Sequence, residues 1–172
     1  MNAGGSTTFG NQVFLGCNNP TISITDSSKY KFVTLYDSEN PSTVICNALI
    51  DIEDNQNKAI FISKTSEIDL SRDWKDSDNN TYQIKALDDF VLFNSDLTAL
   101  TIPSNIVSIG NYACMHSTKL TTVTINNADD TLSKYGIGVF MDCCKLDAEQ
   151  DVTYSPVTPT SLPKDMFRNC KE

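Results

Sequence analysis

The residues best equipped for chemistry in this chain are six cysteines, one histidine and a short acidic run. Cys114 precedes His116 by two positions, a pairing that invites thiol nucleophile or metal chemistry. A nucleophilic cysteine needs an exposed thiolate, a base beside it and a group that orients the base. His116 is the only histidine, so the chain offers neither a second base of that type nor a multi-histidine metal site. Cys143-Cys144 is a vicinal pair, and neighbouring cysteines bridge each other only with strain. No C-x2-C spacing supports zinc. In the run Asp73–Thr81, residues Asp76, Asp78 and Asn80 match positions 1, 3 and 5 of a calcium loop. Thr81 then replaces the required glycine and Leu87 the bidentate glutamate, so the run reads as a solvated turn. Asn79-Asn80-Thr81 is a glycosylation sequon, relevant only on a eukaryotic secretory route. Gly136-Ile137-Gly138 lacks the third glycine of a dinucleotide loop, and no G-x-S-x-G, H-E-x-x-H or Walker pattern occurs. The expectation is a chain with no catalytic residues, no metal site and no cofactor.

The elements that carry these residues repeat. Leu87-Asp88-Asp89-Phe90-Val91-Leu92 and Ile109-Gly110-Asn111-Tyr112-Ala113-Cys114 both place apolar residues at i, i+4 and i+5, the spacing of one face of a helical turn. Leu97 or Leu120 follows, then Leu100-Thr101-Ile102 or Val123-Thr124-Ile125, whose period of two predicts a half-buried strand. The unit returns at Tyr135–Phe140 with Leu146 and Val152-Thr153-Tyr154, begins again at Leu162–Phe167, and stands near the start as Phe9–Phe14 with Ile22-Ser23-Ile24. Equivalent positions 92, 114, 140 and 167 lie 22, 26 and 27 residues apart, within the ~20–29 residue period of leucine-rich repeats.

With these residues in view, the chain resembles the BspA-like leucine-rich repeat family, whose repeats read roughly I-G-x-x-A-F-x-x-C-x-x-L-x-x-I-x-I-P. The match is clearest in Ile109–Cys114 and Leu100-Thr101-Ile102-Pro103. The family's cysteine falls at Cys17, Cys143 and Cys170, while Ser95 and Ser117 replace it in two repeats and Cys114 stands where phenylalanine is usual. The fold this implies is α/β and β-rich: a solenoid of short strands and single helical turns, interrupted by a β-rich insertion. The expected organisation is a flexible tail over 1–8, a first repeat over 9–24, an insertion continuing the solenoid over 25–81, and four repeats over 82–172, the last incomplete. Within the insertion, Tyr30–Tyr36, Ser42–Cys46, Ala48–Ile52 and Ala59–Ile62 read as strands, with a turn at Asp37–Pro41. Tyr82–Leu87 resembles the family's lead-in to a repeat.

One repeat buries too little apolar surface to fold alone, so neighbours must stack into a continuous core. The turn trio, the following leucine and the outer residues of each strand triplet then point inward, and Cys114 packs as a small hydrophobe. Cys143 and Cys170 occupy one position in successive repeats; they read either as reduced buried thiols or as a disulfide in an oxidising compartment. The middle residues of the triplets, Ser23, Thr101, Thr124 and Thr153, face out as a hydroxyl stripe, the candidate binding face. Threonine is also simply suited to a solvent-facing strand, so both readings of the stripe stand.

Composition narrows the partners. Of 172 residues, 40% are hydrophobic and 20% charged, near globular values, and the net charge is −9. A surface this acidic repels phosphate backbones, and lysine and arginine form no patch, which argues against nucleic acid. No apolar run approaches the ~18 residues of a membrane span, and the first eight residues show no signal peptide. The leading expectation is a non-catalytic interaction or adhesion module, with a protein or glycan ligand from a host or matrix. The family resemblance implies a cell-surface or secreted location. A second class is a structural spacer of a larger repeat protein; the last repeat stops before a strand or cap, which also raises end-to-end self-association. A cysteine-dependent enzyme is the third and weakest class.

Overall fold

The computed structural model describes residues 24, 28–53, 55–127 and 134–171. Those residues form ten strands in two sheets and contain no helix. Three strands open the larger sheet as an antiparallel meander: β1 (Tyr30–Tyr36), β2 (Val44–Asp51) and β3 (Lys58–Ile62). The runs Ser42–Cys46 and Ala48–Ile52, expected as separate strands, are largely one. The polar Asn47 that divides them in sequence is accommodated within the sheet, its Oδ1 accepting from Thr34 Oγ1 (2.8 Å) and its N–H donating to Ser63 Oγ (2.9 Å). On the outer side of β1 lies a short hairpin, β4 (Trp74–Lys75) and β5 (Thr81–Tyr82).

The same sheet runs directly into the repeats. β6 (Ala86–Leu87) pairs in parallel with β3, and β8 (Ser108–Ile109) pairs in parallel with β6. The ladder passes from Asp88 N–H to Ala59 O (2.9 Å), from Gly110 N–H to Leu87 O (2.8 Å), and from Gly136 N–H to Ile109 O (2.8 Å). β3 therefore occupies the place that a preceding repeat's lead-in strand would take. Glycine at positions 110 and 136 is required by this close approach. A Cβ on Gly110 would lie 2.4 Å from Asp89 N, and one on Gly136 would lie 2.6 Å from Asn111 N, both backbone atoms.

The second sheet comprises β7 (Ala99–Ile102), β9 (Thr122–Asn127) and β10 (Val152–Pro156), all parallel in the order β10-β9-β7. β7 stops just before Pro103 and β10 at Pro156, as expected of residues that cannot donate to a ladder.

The apolar trios form the third side of each repeat, and here the expectation of single helical turns is corrected. Alternate N–H groups point to the next repeat instead of back along their own segment. Leu92 donates to Ala113 O (2.7 Å), Cys114 to Val139 O (2.9 Å) and Phe140 to Met166 O (2.8 Å). Residues between them close tight i→i−3 turns, such as Met115 N–H to Tyr112 O (3.1 Å). Left-handed residues bracket each segment: Phe90 and Asn94, Tyr112 and His116, Gly138 and Asp142, Asp165 and Asn169. A helix cannot continue through such residues. The spacing i, i+4, i+5 nevertheless keeps its trio on one face, because two consecutive turns also bring those side chains inward.

One core runs through both regions, from Val33, Leu35 and Trp74 in the antiparallel part to Val139, Phe140 and Met166 near the end. The column at 92, 114, 140 and 167 is real: its backbones are joined by the ladder above, and the rings of Phe140 and Phe167 stack 5.4 Å apart. Burying each large apolar side chain contributes roughly 1.5–3 kcal/mol. A second small cluster of Tyr30, Leu49 and Phe61, with Ile24 and Ile60 against it, lies apart from that core. No helix of the described residues is long and apolar enough to cross a membrane.

Candidate functional site

The parallel register brings three of the four expected stripe residues into one row. Thr101 pairs with Thr124, and Thr124 with Thr153. Their neighbours Leu100, Val123 and Val152 are buried, as are Ile102 and Ile125, so alternation turns the threonines outward. Thr101 and Thr153 are exposed and Thr124 is half-buried. Strands in such a sheet sit ~4.8 Å apart, which sets the spacing of the hydroxyl row. Ser23, the fourth stripe residue, lies outside the described residues. The same alternation adds Ala99 opposite Thr122 and Asn126 opposite Ser155 to this face. Reading each strand two residues further in both directions would have found them. Beyond the start of β7, the carboxylate of Asp96 is held by Lys119 Nζ (2.7 Å) and Lys64 Nζ (3.4 Å), and the Lys119 hydrogen bond is the main cause that keeps its pKa below the ordinary range.

The family's cysteine position proves to be a hydrogen-bonding column. Ser117 Oγ donates to Leu92 O (3.2 Å), Cys143 Sγ to Cys114 O (3.3 Å), and Cys170 Sγ to Phe140 O (3.1 Å). Ser95 and Ser117 hydroxyls lie 2.8 Å apart. Serine and cysteine thus serve the same purpose: each satisfies a carbonyl on the core side of the preceding repeat. Cys143 and Cys170 are free thiols here. Burial is the first cause pushing Cys143 up to about 12 and Cys170 up to about 11.

The Cys114–His116 pair is divided by the turn. Cys114 is 1% exposed inside the core, and burial raises its pKa well above that of a free thiol. His116 is on the surface in a left-handed conformation, its ring stacked on Phe93 at 6.1 Å. A buried, protonated thiol is a poor nucleophile.

The acidic run is part strand and part turn. Trp74, which sits within it, is fully buried, so the run is not solvated throughout. Asp76 organises the hairpin: its carboxylate accepts from the N–H groups of Asp78 (3.0 Å) and Asn80 (2.9 Å), from Asn80 Nδ2 (3.0 Å) and from Tyr82 Oη (3.0 Å). Hydrogen bonding from Asn80 is the first cause lowering its pKa. Among the described residues no three histidine, cysteine, aspartate or glutamate side chains are grouped to hold a metal.

No curated protein and no solved structure matches the chain. The family model described as "BspA type Leucine rich repeat region (6 copies)" matches residues 77–172, more than half of the chain and the part that holds the three stacked sides. With its glycine, cysteine or serine, and strand columns in place, the chain belongs to the BspA-type leucine-rich repeat family.

Proposed function

We propose that the chain is a non-catalytic interaction module that presents the face of β7, β9 and β10 to a protein partner, as part of a cell-surface or secreted adhesive protein. The observation that carries this reading is the in-register row Thr101–Thr124–Thr153 on a sheet whose other side is core. A rigid, regularly spaced row of hydroxyls on a stacked array suits an extended contact surface, and solenoids commonly bind through such faces. The burial of Cys114 and its separation from His116 support the non-catalytic part of the reading. Family membership supports the surface location, since BspA-like repeats are typically surface-associated. We propose also that residues 25–81 serve as the insertion that continues the solenoid, since β3 pairs with β6.

The test is a binding screen against immobilised extracellular-matrix proteins, using the wild-type chain and Thr101→Arg, Thr124→Arg and Thr153→Arg variants. Arginine is tolerated on an exposed strand face but fills the neutral row and adds positive charge to it. Binding should fall at least tenfold in the triple variant while its melting curve is retained. Unchanged binding would remove this face from consideration.

A further inference from the structure

The antiparallel region carries a cleft that the strand-face reading does not use. It has a volume of about 520 Å³, inside the ~300–1,000 Å³ range of small-ligand pockets. Among the residues lining it are Tyr36 at the end of β1, Asp37 in the β1–β2 turn, Arg72 and Asp73 before β4, Lys75 on β4, and Asp76 in the hairpin.

The chemistry of these walls excludes two ligand classes and favours a third. Divalent cations need free carboxylate oxygens. Asp37 Oδ1 already accepts from Glu39 N–H (2.7 Å) and Asn40 N–H (2.8 Å), and both Asp76 oxygens are engaged in the hairpin. Asp73 alone keeps both oxygens open, two cationic side chains share the lining, and no three acidic side chains among the described residues are grouped to hold an ion. Phosphate and other anions meet three aspartates against one arginine and one lysine, in a chain of net charge −9. What stays available is mixed. Arg72 lies near enough to Asp37 to help lower that carboxyl's pKa, behind the hydrogen bonds from Asn40 and Glu39, but neither Arg72 nor Lys75 has a carboxylate of a described residue within salt-bridge distance, and both are half-buried in the cleft wall. Asp73 has no side-chain partner among the described residues. Fork-shaped donors, an open carboxylate acceptor and an aromatic ring with a polar tip together match a neutral polyhydroxylated ring. The vicinal hydroxyls of such a ring would pair with Arg72 and Asp73, and its C–H face would rest on Tyr36.

We infer that this cleft, built by Tyr36, Arg72, Asp73 and Lys75, is a binding site for a neutral sugar unit of a glycan. It stands apart from the strand face, so either proposal can fail without the other.

The experiment is saturation-transfer NMR on the whole 172-residue chain with methyl glycosides of glucose, galactose, mannose and N-acetylglucosamine, and with lactose and cellobiose. At least one should show transfer with a dissociation constant near millimolar. Arg72→Gln and Tyr36→Ala should each weaken it at least tenfold, whereas Thr124→Arg should leave it unchanged. Near-ultraviolet circular dichroism of Trp74 reports whether the sheet is intact. If Tyr36→Ala perturbs it, Arg72→Gln decides. No transfer from any of the six sugars overturns the proposal, as does transfer that survives Arg72→Gln. Displacement of the sugar by inorganic phosphate or calcium at millimolar concentration would reassign the site to an ionic ligand.

Discussion

The two halves of this molecule share one core but are held together differently. In the repeats every side of the chain is laddered to its neighbour in parallel, through β6 to β8, through β7 to β9 to β10, and through the turn column from Leu92 to Met166. Contacts are between adjacent copies, so stability there is close to a sum of nearest-neighbour terms. In the insertion the chain folds back on itself in antiparallel strands, and one residue, Trp74, packs inside them from a two-residue strand. Damage in the repeats should therefore spread along the stack, whereas damage in the insertion should depend on single anchors.

The largest effect expected is from Val123→Asp. Val123 is fully buried at the centre of the second sheet, paired with Leu100 and Val152. An unpaired carboxylate there destabilises by about 4 kcal/mol or more. Hydrogen exchange should show protection lost across β7, β9, β10 and the turn column, with β1 and β2 the last to open. Equal loss in β1 and β2 would mean that the two halves form one cooperative unit and that the contrast drawn above is wrong.

Trp74 offers the matching test in the insertion. Trp74→Ala should cost about 3–5 kcal/mol, the range for deleting a large aromatic from a core. Its indole Nε1, however, is buried without a hydrogen-bond partner among the described residues. Trp74→Phe removes that unsatisfied donor together with some volume, and these oppose each other, so its unfolding free energy from urea titration should stay within about 1 kcal/mol of wild type. A Trp74→Phe loss as large as that of Trp74→Ala would show that Nε1 is satisfied after all.

The same contrast explains what could be read from the residues beforehand. In the repeats, each copy confirms the next, so the strand triplets, the inward leucines and the column at 92, 114, 140 and 167 were all legible from period and spacing. Their backbone was not. Trios at i, i+4 and i+5 face inward from a helical turn or from two tight turns, and only the left-handed conformation of residues such as Tyr112 and His116 separates the two. In the insertion β1 was visible as an apolar run, but Asn47 broke β2 in sequence because its partners Thr34 and Ser63 lie 13 and 16 residues away. Trp74 was hidden by the acidic residues around it. The cleft was invisible for the same reason: its walls come from residues 36–41 and 72–79, which share no pattern.

The smallest effect concerns the thiols, which occur in both halves. Burial is the leading cause that pushes Cys46 in the insertion and Cys143 in the repeats up to about 12, from an ordinary value of 9.0. A thiol that must stay protonated in the fold yet ionises freely in the unfolded chain favours the fold fully below about pH 9. That contribution is lost as pH rises from 9 toward 12. At pH 10 the loss is about 1.4 kcal/mol for each such thiol. Tyrosines and lysines add their own alkaline slope, so the informative quantity is the difference between variants. Cys143→Ser keeps a donor for Cys114 O, as Ser117 does for Leu92 O, but no longer titrates. Cys46→Ala removes the corresponding group from the insertion. Urea unfolding at pH 7.5 and pH 10 should show each variant losing about 1.4 kcal/mol less than wild type over that interval, and the double variant about twice that saving. Additivity is expected because the two thiols sit in different halves. If Cys143→Ser recovers its share and Cys46→Ala does not, ionised Cys46 is reaching water through local opening of the insertion, and the antiparallel half is the looser of the two.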